Sequence, residues 1–361
     1  MNKFILLVLI IGLYTQSAYS QLKDTISNYD DICFCSVGLA HPMGILKLDN
    51  NKEILFALKD KRTLHELDKL GVEYSASQMK LLEVSGLIEK KDSLYQTTIP
   101  IFSDKYTKQL RKSTKKIAKN IIPLFQKDYE KLLSTLNSKG LQRNSYSLFF
   151  AFVLDDLVWD IMEDNGEIFE TDITKEKPFW NGTFWMLKPI RDFSCGTNSL
   201  SSDNFSINVN WSDNSKISIS SYEMLREFLN DYKENGKITQ IENFKKLREN
   251  NLFSKDGKIQ IPVITENSSD IIYLESKKIA DIVAEYLCTK IDYTSILFDY
   301  PSLSKGQKIT ISYHEIMWDI LDIMEENKLL KKPIAFGEPM KAKETDLKDL
   351  IFIVKKETSV Y

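Results

Sequence analysis

Two stretches of this chain are copies of one another, and that constrains the fold more than any compositional figure. Lys115-Lys116-Ile117-Ala118 recurs as Lys277-Lys278-Ile279-Ala280, and Ile99-Pro100 recurs as Ile261-Pro262. Asp160-Ile161-Met162-Glu163 recurs as Asp322-Ile323-Met324-Glu325, with Asn165 and Asn327 extending the match. All three blocks share an offset of 162 residues. Two copies of a module near 86–168 and 248–330 describe a duplication, not a many-repeat solenoid.

The module starts with helical spacing. Ile54, Leu55 and Leu58 recur as on one helix face, and Thr63 to Leu70 forms a second short helix with Leu64 and Leu67 inward. Gly71 closes that helix. Ser75 or Ser77 caps a third, whose apolar face holds Met79 and Leu82, and Gly86 ends it. Leu94, Tyr95, Ile99 and Ile101 then suggest two short strands around a Lys91-Asp92-Ser93 turn. The segment LHELDKLGVEYSASQMKLLEVSGLIEKKDSLYQTTIPI resembles a winged helix-turn-helix. In the second copy FKKLRENNLFSKDGKIQIPVI keeps the resemblance, with Asp256-Gly257 at the hairpin.

A helix follows each wing. Ile117, Ile121, Leu124 and Phe125 share a face in the first copy, and Pro123 inside that run implies a kink or a new helix start. Ile279, Ile282, Val283 and Tyr286 make the corresponding face in the second. Leu148 to Val158 is apolar nearly all round, as a helix enclosed on most sides should be. Between the copies the alternation of Phe205 to Trp211, and of Ile217-Ser218-Ile219, has strand period. The expected class is α+β and helix-rich. The expected order is a signal peptide at 1–20, an N-terminal segment at 21–50 and a winged-helix-like module at 51–168. An aromatic, β-rich insert at 169–220, a second module at 221–330 and a tail at 331–361 with a short strand complete it.

Met1-Asn2-Lys3, an apolar run from Phe4 to Tyr14, and Ala18-Tyr19-Ser20 before Gln21 form a secretory signal pattern. The apolar run is too short for a lasting membrane anchor, so a periplasmic or secreted protein is expected. Formal charge is −3, which supplies no positive field for phosphate backbones. The basic run Lys105, Lys108, Arg111, Lys112, Lys115, Lys116 and Lys119 reads better as a solvated helix face than as a nucleic-acid surface.

Chemistry-bearing patterns are sparse. The cysteines Cys33, Cys35, Cys195 and Cys288 allow disulfides in an oxidising compartment, with Cys195 the better partner for Cys33 or Cys35 than they are for each other. Cys33, Cys35 and His41 come closest to a ligand set, yet a disulfide or unpaired thiols are the plainer reading, and no metal or cofactor is expected. Cys195 is followed by Gly196-Thr197-Asn198, whose amides could form an oxyanion hole, but no base can be assigned. Asp160 and Asp322 read as solvent-facing or capping carboxylates.

Three of the five tryptophans, Trp180, Trp185 and Trp211, fall in the insert with Phe184. They form either a binding face or a plug between the copies. Asn181-Gly182-Thr183 matches a glycosylation acceptor. The leading functional expectation is an exported, non-enzymatic binding or scaffold protein of the cell envelope, with a protein or envelope component as partner. A nucleic-acid-binding winged helix and a cysteine hydrolase centred on Cys195 are the alternatives.

Overall fold

The computed structural model describes residues 26–168, 171–212, 219–297, 300, 303–336 and 344–357. The signal pattern at 1–20 lies outside them, as does the Ile217-Ser218 pair. The fold is α+β and helix-rich. It divides into two compact units. One gathers residues 1–113, 168–191 and 293–313, and the other 114–167, 192–292 and 314–361.

In the first unit, strand β1 (Asp30–Val37) precedes helices Pro42–Leu46, Asn51–Ala57, Leu64–Lys69 and Ala76–Val84. Thr63 and Ser75 each close a capping box, with Glu66 and Gln78 respectively, so two helix starts are fixed by side chains. Gly71 and Gly86 take left-handed φ values of 73° and 71° at the ends of those helices. Strands β2 (Ile88–Lys91) and β3 (Leu94–Thr97) form an antiparallel hairpin with Asp92 at φ 58° in its turn. Arg62 bonds to Tyr95 on the outer side of β3. Ile54, Leu55, Leu58, Leu67 and Leu82 are fully buried, whereas Val84 is exposed.

Strand β4 (Ile101–Phe102) runs parallel to β5 (Trp180–Leu187), and β1 runs antiparallel along the other edge of β5. Successive side chains of a strand point to opposite faces, and here both faces are covered. Phe184 and Met186 pack with Ile54 and Leu82, while Trp185 and Leu187 pack with Phe102, Leu110 and Ile311.

In the second unit, β6 (Cys195–Ser202), β7 (Phe205–Ser212), β8 (Val263–Glu266) and β9 (Ile351–Lys356) form one sheet in the order β6-β7-β9-β8. Ile219 begins the helix Ile219–Asn235 instead of ending a strand. Helix Ile271–Lys290 packs on a segment of wide, π-type turns, Leu148–Leu157, which continues into helix Val158–Asp164. The tail strand docks because Arg143 Nε meets Asp349 Oδ2 at 2.9 Å and Ser147 Oγ donates to the Asp349 carbonyl at 2.6 Å.

Helix Asp104–Ser138 runs unbroken through Pro123, so of the two alternatives, a kink or a new helix start, the new start does not occur. Proline removes one backbone donor, and here the surrounding turns carry the helix past it. Leu124 faces out of this helix, while Ile121 and Phe125 are buried.

The two copies repeat down to single hydrogen bonds. Thr98 N donates to Leu87 O at 3.1 Å, and Gln260 N donates to Leu252 O at 2.8 Å. Met186 N meets Pro100 O at 2.9 Å, and Ile353 N meets Pro262 O at 2.9 Å. Ile101 is registered with Met186 on a parallel strand as Val263 is with Ile353. Asp31 opposes Met186 on an antiparallel strand as Ile207 opposes Ile353. Strands β5 and β9 are therefore equivalent central strands. Each copy is larger than the sequence matches suggest, extending from β1 to β5 and from β7 to β9.

Residues 169–220 are accordingly not one insert. Strand β5 completes the sheet of the first unit, and β6 and β7 belong to the second. The units also mix the copies: residues 114–167 of the first copy lie in the second unit, and 293–313 of the second copy lie in the first.

Candidate functional site

The aromatic residues singled out by composition are mostly structural. Phe184 and Trp185 are 2% and 0% exposed because β5 is covered on both faces. A solvent-facing role is corrected for these two. Trp180 is half-buried and donates its indole N–H to the Ser85 carbonyl at 2.8 Å. Trp211 bonds through its indole to Asn198 at 3.2 Å, and its ring covers Gly196, where a Cβ would fall 2.3 Å from the ring. Asn181 is also buried, with its amide engaged by Lys177 and the Asp172 carbonyl, so a glycan has no route to it in the fold.

None of the four cysteines is in a disulfide. The bond considered between Cys195 and Cys33 or Cys35 is absent. Cys195 is buried, its sulfur lies 3.6 Å from the Tyr146 hydroxyl, and its carbonyl accepts from the Trp318 indole at 3.2 Å. Burial pushes the Tyr146 hydroxyl far up, and the neighbouring Cys195 adds to this. His314 is buried between Trp159 and Trp318 in edge-on ring contacts.

A cleft of about 130 Å³ in the second unit brings the exposed Asp160 of the repeated block together with groups far from it in sequence. Asp156 and Asp160 are four residues apart, a spacing that places side chains on one helical face. Glu266 ends β8 and Lys356 ends β9, and the two are registered neighbours on parallel strands. The β6–β7 hairpin supplies Ser199, Ser201, Asn204 and Ser206 to the same cleft. Its turn is made by Asp203, at φ 50°, and Asn204, whose carbonyl accepts from Lys356 N at 2.8 Å. Asp203 is ion-paired with Lys233.

Charge in this cleft is strongly coupled. Burial holds the Asp156 carboxyl well above the usual carboxylate range, and the adjacent charges of Asp155 and Asp160 push it further. Burial also raises Glu266, with Asp160 adding to the effect and Lys356 opposing it. Lys356 is 3.6 Å from Asp160. Burial works against its ammonium, but Asp160, Glu266 and Asp156 outweigh that and hold it protonated. The cleft thus gathers three carboxyl groups, one of them holding its proton more tightly than usual, with one ammonium and several hydroxyls. Perturbed titration in a concave polar setting is a mark of binding and catalytic sites. The sequence did hold one signal: two adjacent aspartates, Asp155 and Asp156, interrupt the apolar run 148–158.

A second cluster lies in the first unit. Cys33, Cys35 and His41 bring their ligand atoms within 4.8 Å of one another. A hydrogen bond between the two thiols, together with burial, raises Cys33, while the same bond lowers Cys35.

Comparison with protein-family models, curated proteins and solved structures finds no match to this chain. Among the described residues no helix is long and apolar enough to cross a membrane.

Proposed function

We propose that this chain is an exported, non-enzymatic binding protein of the cell envelope, and that it holds a small polar group in the cleft of its second unit. The observation that carries the proposal is the convergence of Asp156, Asp160, Glu266 and Lys356 with the serines of β6 and β7 in one cleft. Carboxyl groups, an ammonium and serine hydroxyls side by side suit a ligand that offers both an acceptor and a donor, such as a hydroxyl-rich or amine-bearing moiety of an envelope component. The leader pattern supports export.

The duplicated winged-helix-like module serves shape and protein contact in this reading, with nucleic acid not its partner. On helix Ala76–Val84, Gln78 spends its amide on the Ser75 amide at 2.8 Å and on Asn50 at 2.9 Å. Lys80 pairs with Glu83 at 3.1 Å. The polar groups that would read base edges are thus engaged within the fold.

The test is calorimetric titration of the full chain with a panel of neutral oligosaccharides and polyamines, followed by the same titration on Asp156→Asn and Lys356→Met. Saturable binding lost in both variants is expected. Binding that survives both changes, or an entire panel without heat, refutes the cleft assignment. Retention on DNA at low salt would refute the choice of partner.

A further inference from the structure

We propose that Cys33, Cys35 and His41 form a binding site for a thiophilic d¹⁰ cation, zinc or copper(I), independent of the cleft.

The residues converge for reasons that are local. Cys33 and Cys35 are alternate residues of β1 and share one of its faces. Phe34 and Ile32, on the opposite face, pack into the other core, which leaves the two sulfurs together. His41 is brought back over that face by the turn after β1, where it caps helix Pro42–Leu46. Its Nδ1 accepts from the Met43 amide at 3.1 Å. That contact fixes the ring with Nε2 directed at Cys33 Sγ, 3.7 Å away. The strand opposite gives the site room. Gly182 is the register partner of Cys35, and a Cβ there would fall 2.8 Å from Cys35 Cβ and 2.2 Å from the Phe34 carbonyl. With glycine at that position no side chain competes for the ground beside Cys35.

Two thiolates and an imidazole are the donor set that selects soft and borderline cations. A disulfide is the competing fate of the pair. On an extended strand alternate Cα atoms are about 6.6 Å apart, at the far edge of disulfide geometry. The backbone therefore holds the sulfurs at ligand spacing while opposing a bond between them. Loading balances simply: both thiol protons leave to solvent as two sulfur–metal bonds form. For Nε2 to bind as well, the neutral ring carries its proton on Nδ1, and the Met43 amide gives up its bond to that nitrogen.

The experiment uses the full chain, reduced and handled without oxygen, titrated with cobalt(II) as the optical probe for zinc and, separately, with copper(I) against a chromophoric chelator. One ion per chain is expected in at least one arm, with thiolate-to-cobalt charge-transfer bands if the zinc-type site forms. The double variant Cys33→Ser, Cys35→Ser should abolish that uptake. His41→Ala should weaken it by about a hundredfold, the upper end of what even supporting residues contribute. Cys288→Ser should leave it unchanged. Loading should also move the Met43 amide resonance, a shift absent in His41→Ala. Uptake that persists in the double variant overturns the proposal, as does failure of both ions to bind a chain whose four thiols titrate as reduced. Formation of a Cys33–Cys35 disulfide that metal does not prevent also overturns it.

Discussion

Asp155 gives the sharpest test of the electrostatics around the cleft. It sits in the segment Leu148–Leu157, whose other side chains are nearly all apolar and buried. Burial alone raises its carboxyl from 3.8 to about 7. The consequence for stability has a definite sign. Well below 3.8, folded and unfolded chains both hold the proton and the group contributes nothing to the balance. Between about 4 and 7 the folded chain holds a proton that the unfolded chain has lost, so stability falls as pH rises. Above about 7 the folded chain must ionise a half-buried carboxyl set in an apolar segment, and the full cost is present. At about 1.4 kcal/mol per pH unit, that cost is of the order of 4 kcal/mol. Asp155→Asn keeps the shape and removes the ionisation. It should therefore leave stability nearly unchanged at about pH 3 and raise it by up to about 4 kcal/mol at about pH 8. Urea unfolding followed by tryptophan fluorescence measures the difference, with the slope checked for constancy between chains. Infrared absorption of protonated carboxyls near pH 6, diminished in the variant by the share of one group, reports the same carboxyl directly. A stabilisation equal at both pH values, or one that grows toward acid, would refute the reasoning, because a neutral substitution effect carries no pH dependence.

Other consequences follow from packing and backbone geometry. Trp185→Ala empties a fully buried site in the first unit and should cost about 3–5 kcal/mol in urea unfolding. Gly257 has φ 83°, and a Cβ there would lie 2.1 Å from the Ile238 carbonyl. Gly257→Ala should consequently lower the thermal midpoint clearly, whereas Asn251→Gly, at φ 58°, should raise it slightly, a gain in stability of up to about 1 kcal/mol. Thr63→Ala removes a capping box and should cost about 1 kcal/mol, seen as faster amide exchange in helix Leu64–Lys69.

Local structure was readable because it is written in local chemistry. Thr63 and Ser75 stand three residues before Glu66 and Gln78, and that spacing alone places two helix starts. The non-local pairings left no such trace. Trp180, Phe184 and Trp185 read as aromatic residues of an insert, either a binding face or a plug, and only the cover of β5 on both faces makes Phe184 and Trp185 core. The cleft was hidden for the same reason. Asp156, Glu266 and Lys356 are separated by 110 and 90 residues, and the chemistry exists only where helix and sheet edges meet. The thiol cluster lies within nine residues of sequence and was visible as a composition, but its geometry depends on Gly182, far along the chain.

The duplication links these observations. Strands β5 and β9 occupy the same place in their sheets with the same partners on either side, yet WMLKP around β5 and FIVKK in β9 share little beyond apolar character and a lysine. A central strand is held by ladder bonds and by burial on its faces, so many apolar sequences satisfy it equally. The blocks that kept their identity are elsewhere, at helices and at the Ile-Pro entry to β4 and β8. What differs between the copies is where chemistry can be placed. β9 ends in Lys356 beside Glu266 and the cleft, whereas the first copy carries its pair Cys33 and Cys35 on β1, on the opposite face of its sheet. Divergence after duplication thus put a polar cleft on one sheet and a thiol cluster on the other, and each can be removed by substitution without touching the shared frame. The two are separable by experiment: Asp156→Asn should leave cobalt uptake intact, and the double serine variant at Cys33 and Cys35 should leave ligand heat in the cleft intact. Loss of both functions in either variant would mean that the sites are not independent and that the frame, not the local groups, had been damaged.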